Sequence, residues 1–153
     1  MTVLEKIKEK LAVAGVEYEL IEHEPVYTSA DAARVRGEEL SDGAKALVLF
    51  GDKTPILCVV PGDKRADFKK IKTHLEIKDL RMATPEEVKE LTTLEIGAIP
   101  PVGSAMNLPS YYDNSFILKE NVAFNAGDHS VTIIMTGDDL IRVEKPKILD
   151  IAK

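Results

Sequence analysis

The chain has 153 residues, 44% hydrophobic and 30% charged, with a formal net charge of −6 at pH 7; this suffices for one cored domain, expected over 1–153, and is short for two. The acidic balance speaks against broad nucleic-acid binding, and no apolar run approaches the roughly 20 residues of a membrane span. One cysteine and three histidines exclude an internal disulfide and a zinc cage, so a reducing cytoplasm is expected, with no metal and no cofactor.

MTVLEKIKEKLA is amphipathic rather than a signal peptide. A helix is predicted from about Val3 to Ala14, with Leu4, Ile7 and Leu11 on one face and Gly15 ending it. VEYELIEH alternates as a short strand. Thr28 opens a second helix, with Asp31 three residues on as a variant capping box, and Gly37 marks its stop. KALVLF and ILCVV are strands joined by the turn chemistry of GDKTP, so a hairpin is predicted. PGDKRADFKKIKTHL passes from a Pro-Gly turn into a helix. LRMA is extended, and Thr84, Pro85, Glu86 and Glu87 supply the cap, first-turn proline and acids of a helix running to about Leu91. Gly97 to Pro109 is too rich in glycine and proline for regular structure. SFILKE, NVAFNAG and HSVTIIM then read as strands, and GDDLIRV as a last short helix. Strands and helices mix without strict βαβ alternation, which gives an α+β class with a mixed, mostly antiparallel sheet.

Three places could carry chemistry. Lys45 opens KALVLF and shares a face with Leu47 and Leu49, while Ala46, Val48 and Phe50 take the other. Its side chain either reaches along the strand to solvent or points into a cavity. His129 stands at the entrance of HSVTIIM, in line with Val131, Ile133 and Met135, as a satisfied structural group or as part of a site. The segment Gly97-Ala98-Ile99-Pro100-Pro101-Val102-Gly103 is stiffened by its prolines and flanked by glycines that let a ligand approach the main chain. It is either a tight turn or a rigid frame whose amides orient a carbonyl or a water. Cys58 reads as a buried structural thiol. Lys64, Arg65, Lys69, Lys70 and Lys72 form a basic run, which is a solvated helix face or a nucleic-acid contact.

In series, HEPVYTSADAA from His23, GAKALVLF with Lys45, VVPGDKRADFKKI from Val59, GAIPPVG from Gly97 and NAGDHSVTIIMTGDDLIRV from Asn125 resemble the YbaK-like family. That family shares its domain with the editing insertion of bacterial prolyl-tRNA synthetase. The resemblance implies a barrel-like sheet surrounded by helices, and hydrolysis of the ester joining a mischarged amino acid to the 3′-terminal ribose of a tRNA. It implies catalytic roles at Lys45, Gly97 and His129. Substrate contacts are implied at Thr28, Ala98, Ile99, Pro100, Pro101, Gly103, Gly127 and Asp128, and acceptor-stem contacts at Lys64, Arg65, Lys69 and Lys70. The turn Ala126-Gly127-Asp128-His129 departs from the family's AGSH-type turn; its added acid could change pocket charge or bind a substrate amine.

An aminoacyl ester is already activated, so a positioned water, charge stabilisation at the carbonyl and a fitted pocket suffice. The resemblance points to alanine, cysteine or serine on tRNA for proline, with transient association with a synthetase as a further expectation. Two other functions fit the same residues. One is a non-catalytic module binding an amino acid, an aminoacyl ester or a protein partner; the other is a small-ester hydrolase that ignores RNA.

Overall fold

The computed structural model describes residues 1–37 and 39–153. Along the chain it sets out α1 (Val3–Ala14), β1 (Glu19–Glu22), α2 (Ser29–Arg36), β2 (Ala44–Gly51) and β3 (Thr54–Pro61). There follow α3 (Phe68–Leu75), β4 (Leu80–Met82), α4 (Pro85–Thr92) and β5 (Ser110–Asp113). The last elements are β6 (Val122–Asn125), β7 (Val131–Met135), α5 (Gly137–Glu144) and β8 (Lys147–Leu149).

Local chemistry fixes most of these boundaries. Thr2 and Thr84 close full capping boxes on α1 and α4 through Glu5 and Glu87, and each satisfies an otherwise orphaned helix N–H. Thr28 caps α2 through Asp31 N at 3.0 Å. The β2–β3 hairpin turns on Asp52 and Lys53, both at positive φ (47° and 74°), the sign pattern of a type I′ turn. The Asp52 carboxylate makes that turn tolerable without glycine by accepting from Lys78 N and Asp79 N.

The two strands pair antiparallel with Lys45 opposite Val60. Leu57 N donates to Pro109 O, so the odd-numbered residues of β3 direct their main-chain groups at β5. Pro55 and Pro61 belong to that set, which is why two prolines cost the hairpin ladder nothing. Period-two alternation then sorts the side chains. Val48, Leu57 and Val59 join α1, Tyr112, Phe116, Phe124 and Ile133 in the main core. Leu49, Cys58 and Val60 join Ile71 and Ile151 in a second core beneath α3.

The class is α+β, with both antiparallel and parallel pairings. Among the described residues the strands form two sheets, β4-β2-β3-β5-β8 and β1-β7-β6, and no closed barrel. They meet where an isolated bridge joins Gly43 to Ala123, beside the start of β2. Several local expectations change. SFILKE is a 3₁₀ turn over Asn114–Phe116, and the strand lies earlier, at β5. His129 sits in the turn before β7, whose first residue is Val131. Short β8 has no counterpart among the predicted elements. No helix among the described residues is long and apolar enough to cross a membrane.

Candidate active site

Between the two sheets lies a cavity of ≈ 230 Å³, lined by the start of α2, the first half of β2, the Gly97 loop and Asn125. It is smaller than the roughly 300–1,000 Å³ typical of pockets for drug-sized ligands. Ala32, Ala33, Ala44, Ala46, Leu47 and Ile99 make most of its wall apolar. Thr28, Ser29, Glu39, Lys45 and Asn125 supply the polar side chains.

The Lys45 Nζ donates to the main-chain oxygen of Lys64 at 2.7 Å. Partial burial pulls its pKa below the usual lysine value, the nearby Arg65 guanidinium adds to that, and Asp63 opposes it. The ammonium is therefore neither loose in solvent nor neutralised by a carboxylate. It keeps two further N–H bonds for a ligand.

The opposite wall is the Gly97 loop. Gly97 has φ +90°, and a Cβ there would come within 3.0 Å of His129 Cε1. Its carbonyl accepts from Asn125 Nδ2 at 2.6 Å. The N–H groups of Gly97 and Ile99 have no partner among the described residues, whereas Ala98 N donates to Glu95 O. Behind the wall, Gly103 N donates to Ser110 Oγ and the Tyr112 hydroxyl to Pro101 O, which ties the loop to β5. Of the implied contacts, Thr28, Lys45, Gly97 and Ile99 therefore meet in one cavity. Pro100, Pro101 and Gly103 are buried supports and do not line it.

His129 lies on the far side of Gly97. Its Nδ1 pairs with Val26 O at 2.8 Å, its ring packs against Tyr27 at 4.5 Å between centroids, and its Nε2 is 3.6 Å from Glu95. With Ala98, Gly127 and Asp128 it lines a separate, shallower depression. The Asp128 carboxylate accepts from Ser130 N at 2.7 Å, so the added acid caps its own turn. Tyr27 lines both hollows and is 68% exposed at the ridge between them.

Residues 23–143 match the family model described as the aminoacyl-tRNA editing domain. The chain belongs to that family. It is 30% identical over 145 residues to the Escherichia coli (strain K12) multifunctional Ser/Thr-tRNA deacylase ProXp-y, covering 92% of this chain and 87% of that one. It is 26% identical over 142 residues to the prolyl-tRNA editing protein ProX of Acetoanaerobium sticklandii, covering 89% and 87%. A crystal structure described as a candidate trans-editing enzyme for prolyl-tRNA synthetase superposes with a TM-score of 0.85 at 29% identity, over 100% of this chain and 98% of that one. Membership in the aminoacyl-tRNA editing domain family makes the chain an enzyme of the aminoacyl-ester hydrolase class.

In this editing domain the basic run divides. Lys64, Arg65 and Lys69 are exposed. The Lys70 ammonium instead bonds Asp150 and Ala152 O, both at 2.9 Å. Cys58 is fully buried, which pushes its thiol up to about 12 and leaves no thiolate for nucleophilic attack. Asn125, Glu39 and Ser29 also line the cavity, although sequence reasoning does not single them out. Asn125 immediately precedes the Ala126–His129 turn, and that adjacency is the available signal.

Proposed function

We propose that this editing domain works in trans, hydrolysing a small, wrongly attached amino acid from the 3′ end of a tRNA. The observation that carries the reading is a small, mostly apolar cavity with one lysine ammonium on one wall and unpartnered loop amides on the other. Small size suits alanine, cysteine, serine or threonine. Tight apolar walls exclude a larger residue by overlap, whereas a missing methylene is worth only about 1–3 kcal/mol. The names of its relatives support serine and threonine among the substrates, and tRNA for proline among the carriers.

Lys45 holds the ester carbonyl or the terminal phosphate as a fixed cation, and the Gly97 and Ile99 amides orient the attacking water and the ester. His129 acts from behind by fixing the Gly97 loop and Tyr27. Lys64, Arg65 and Lys69 meet the acceptor stem, and contact with a synthetase is transient. No protein nucleophile is needed because the ester is activated. Removing one such electrostatic donor costs on the order of 100- to 1,000-fold in rate.

The test is a panel of tRNAs charged with alanine, cysteine, serine, threonine and proline. Cleavage of one or more small aminoacyl-tRNAs, lost in a folded Lys45→Ala protein, supports the reading. A folded wild-type protein that binds an aminoacyl ester analogue but cleaves none of the panel would show a binding module instead.

A further inference from the structure

Four consecutive residues of β2, Ala44 to Leu47, line the cavity. Side chains alternate across a strand, so those of all four residues cannot share one face. A cavity along the edge of β2, reached by main-chain as well as side-chain atoms, accounts for the run. Among the described residues that edge is unpaired at Ala46: β4 pairs with Leu49 to Gly51, and the bridge to the neighbouring sheet is at Gly43.

Hydrogen bonds on both sides fix which main-chain groups face the opening. Gly62 N donates to Gly43 O within the hairpin, and Ala83 N donates to Val48 O from the β4 side. In an antiparallel pair these directions alternate residue by residue. Lys45 and Leu47 therefore turn their N–H and C=O toward β3, and Ala46 turns both of its groups into the cavity. Neither group of Ala46 has a partner among the described residues. A donor and an acceptor on one residue, facing a hollow, form half of a hydrogen-bonded β pair.

An aminoacyl ester carries the complementary half. Its α-ammonium donates, its ester carbonyl accepts, and both belong to a single Cα, as they do in a strand residue. We infer that the aminoacyl group docks as a one-residue strand against Ala46. Its ammonium donates to the Ala46 carbonyl, and its ester oxygen accepts from the Ala46 N–H. This deepens the proposed function and rests on it.

Two consequences follow from sheet geometry. The Ala46 N–H points at the oxygen that becomes negative when water adds, so a fixed amide of the strand assists hydrolysis. The side chain of an L-aminoacyl group paired in this way falls on the face that Ala44 and Ala46 share. Lys45 projects from the other face, and its ammonium reaches round to Lys64 O. Recognition of the backbone atoms is thus separate from selection by side-chain size. A free α-amino group becomes a requirement, and blocking it removes one of the two bonds.

Amide hydrogen exchange of the whole protein, read by NMR, tests the pairing. In the free protein the Ala46 amide exchanges quickly, while those of Lys45 and Leu47 are protected by the hairpin ladder. Saturation with 3′-alanylamino-3′-deoxyadenosine, which is not hydrolysed as an ester, slows Ala46 exchange at least about tenfold. Binding is followed independently through the Thr28 and Gly97 amide shifts. Ala46→Pro removes only an edge-facing N–H, so the ladder survives and alanyl-tRNA cleavage falls about 100- to 1,000-fold. Ala46→Gly keeps the N–H, so it should cleave at least about tenfold faster than Ala46→Pro. An Ala46 amide already slow in the free protein, or still fast in the saturated complex, overturns the pairing. Should Ala46→Pro fail to fold, the exchange result decides alone. Cleavage of alanyl-tRNA without Ala46 protection sinks this inference and leaves the editing function standing. Neither cleavage nor analogue binding sinks both.

Discussion

The Lys45 ammonium is held 2.7 Å from the main-chain oxygen of Lys64, so a residue opening β2 is anchored by the loop that follows β3. That loop is pinned in turn by paired main-chain bonds between Arg65 and Lys153, at 3.0 and 2.9 Å. Burial and Arg65 both favour the neutral amine, and Asp63 favours the ammonium. Lys45 should therefore titrate below 10.5 in an NMR titration of its side-chain ¹³Cε. Arg65→Gln should raise its midpoint and Asp63→Asn should lower it. Between the folded midpoint and 10.5 the unfolded chain holds more protons, so stability should rise with pH across that window. Lys45→Met should remove this slope. A midpoint indifferent to both substitutions would contradict the electrostatic account.

Gly97 and His129 are coupled through space rather than sequence. Gly97→Ala adds a methyl 3.0 Å from His129 Cε1 and strains a backbone at φ +90°. Displacement of the loop by about 1 Å can cost roughly 100-fold in turnover, and a loss of that order is expected. Adding His129→Ala should recover part of it, because the overlap is relieved while the backbone strain remains. Single-turnover cleavage of the two single variants and the double variant measures this coupling.

Where a boundary depends on local chemistry, it is readable from the residues alone. Gly15 sets the end of α1 and Thr84 the start of α4, and alternation assigns the two faces of β2. Strand β5 is hidden because Ser110-Tyr111-Tyr112-Asp113 has polar ends and gains its pairing from β3 and β8. His129 follows an alternating pattern that continues it into β7, but the Asp128 cap on Ser130 N holds that segment in a turn. Lys45 and the Gly97 loop are conspicuous one at a time. Their enclosing one cavity with Asn125 depends on the gap between two sheets, and no short-range pattern encodes that gap. The open edge at Ala46 is invisible for the same reason, since it follows from where β4 stops pairing.

Neighbouring lysines on α3 should behave differently. Lys69 is exposed, whereas Lys70 bonds Asp150 and Ala152 O and closes the C-terminal segment onto the helix. Charge reversal at Lys64, Arg65 or Lys69 should raise KM for aminoacyl-tRNA and reduce the salt slope of binding by about one for each phosphate no longer engaged. Cleavage of a small aminoacyl ester should be unchanged. Lys70→Glu should lower the thermal midpoint instead, by setting two carboxylates against each other. Equal effects of Lys69 and Lys70 substitutions on tRNA affinity would remove the distinction.

Glu87 receives both N–H groups of the Arg81 fork, at 2.7 and 2.8 Å, together with the Thr84 amide. These donors hold its carboxyl down at about 2, from an ordinary 4.5. Their stabilisation is present above 4.5 and lost as pH falls toward 2, because the unfolded carboxyl takes its proton first. Glu87→Gln should flatten that part of the acid limb in a urea-unfolding series, leaving neutral-pH activity intact.

The rear of the Gly97–Gly103 loop depends on a carboxylate from α5. Glu144 accepts from the hydroxyls of Ser104 and Ser110, both at 2.6 Å, and Ser110 Oγ accepts from Gly103 N at 3.2 Å. Ser110 is only 8% exposed, so removing a partner leaves polar groups without water to replace it. Ser110→Ala and Glu144→Ala should each cost about 1–3 kcal/mol. Because they belong to one network, the double variant should cost clearly less than the sum. Urea unfolding of the four proteins in the cycle gives the coupling, and strict additivity would show that the chain of bonds does not act as a unit. If the network also holds the loop in register, kcat for aminoacyl-tRNA should fall in both variants at temperatures where each remains folded. KM should change little, because the cations proposed to meet the tRNA, Lys64, Arg65 and Lys69, belong to the loop after β3 and to α3 rather than to this network.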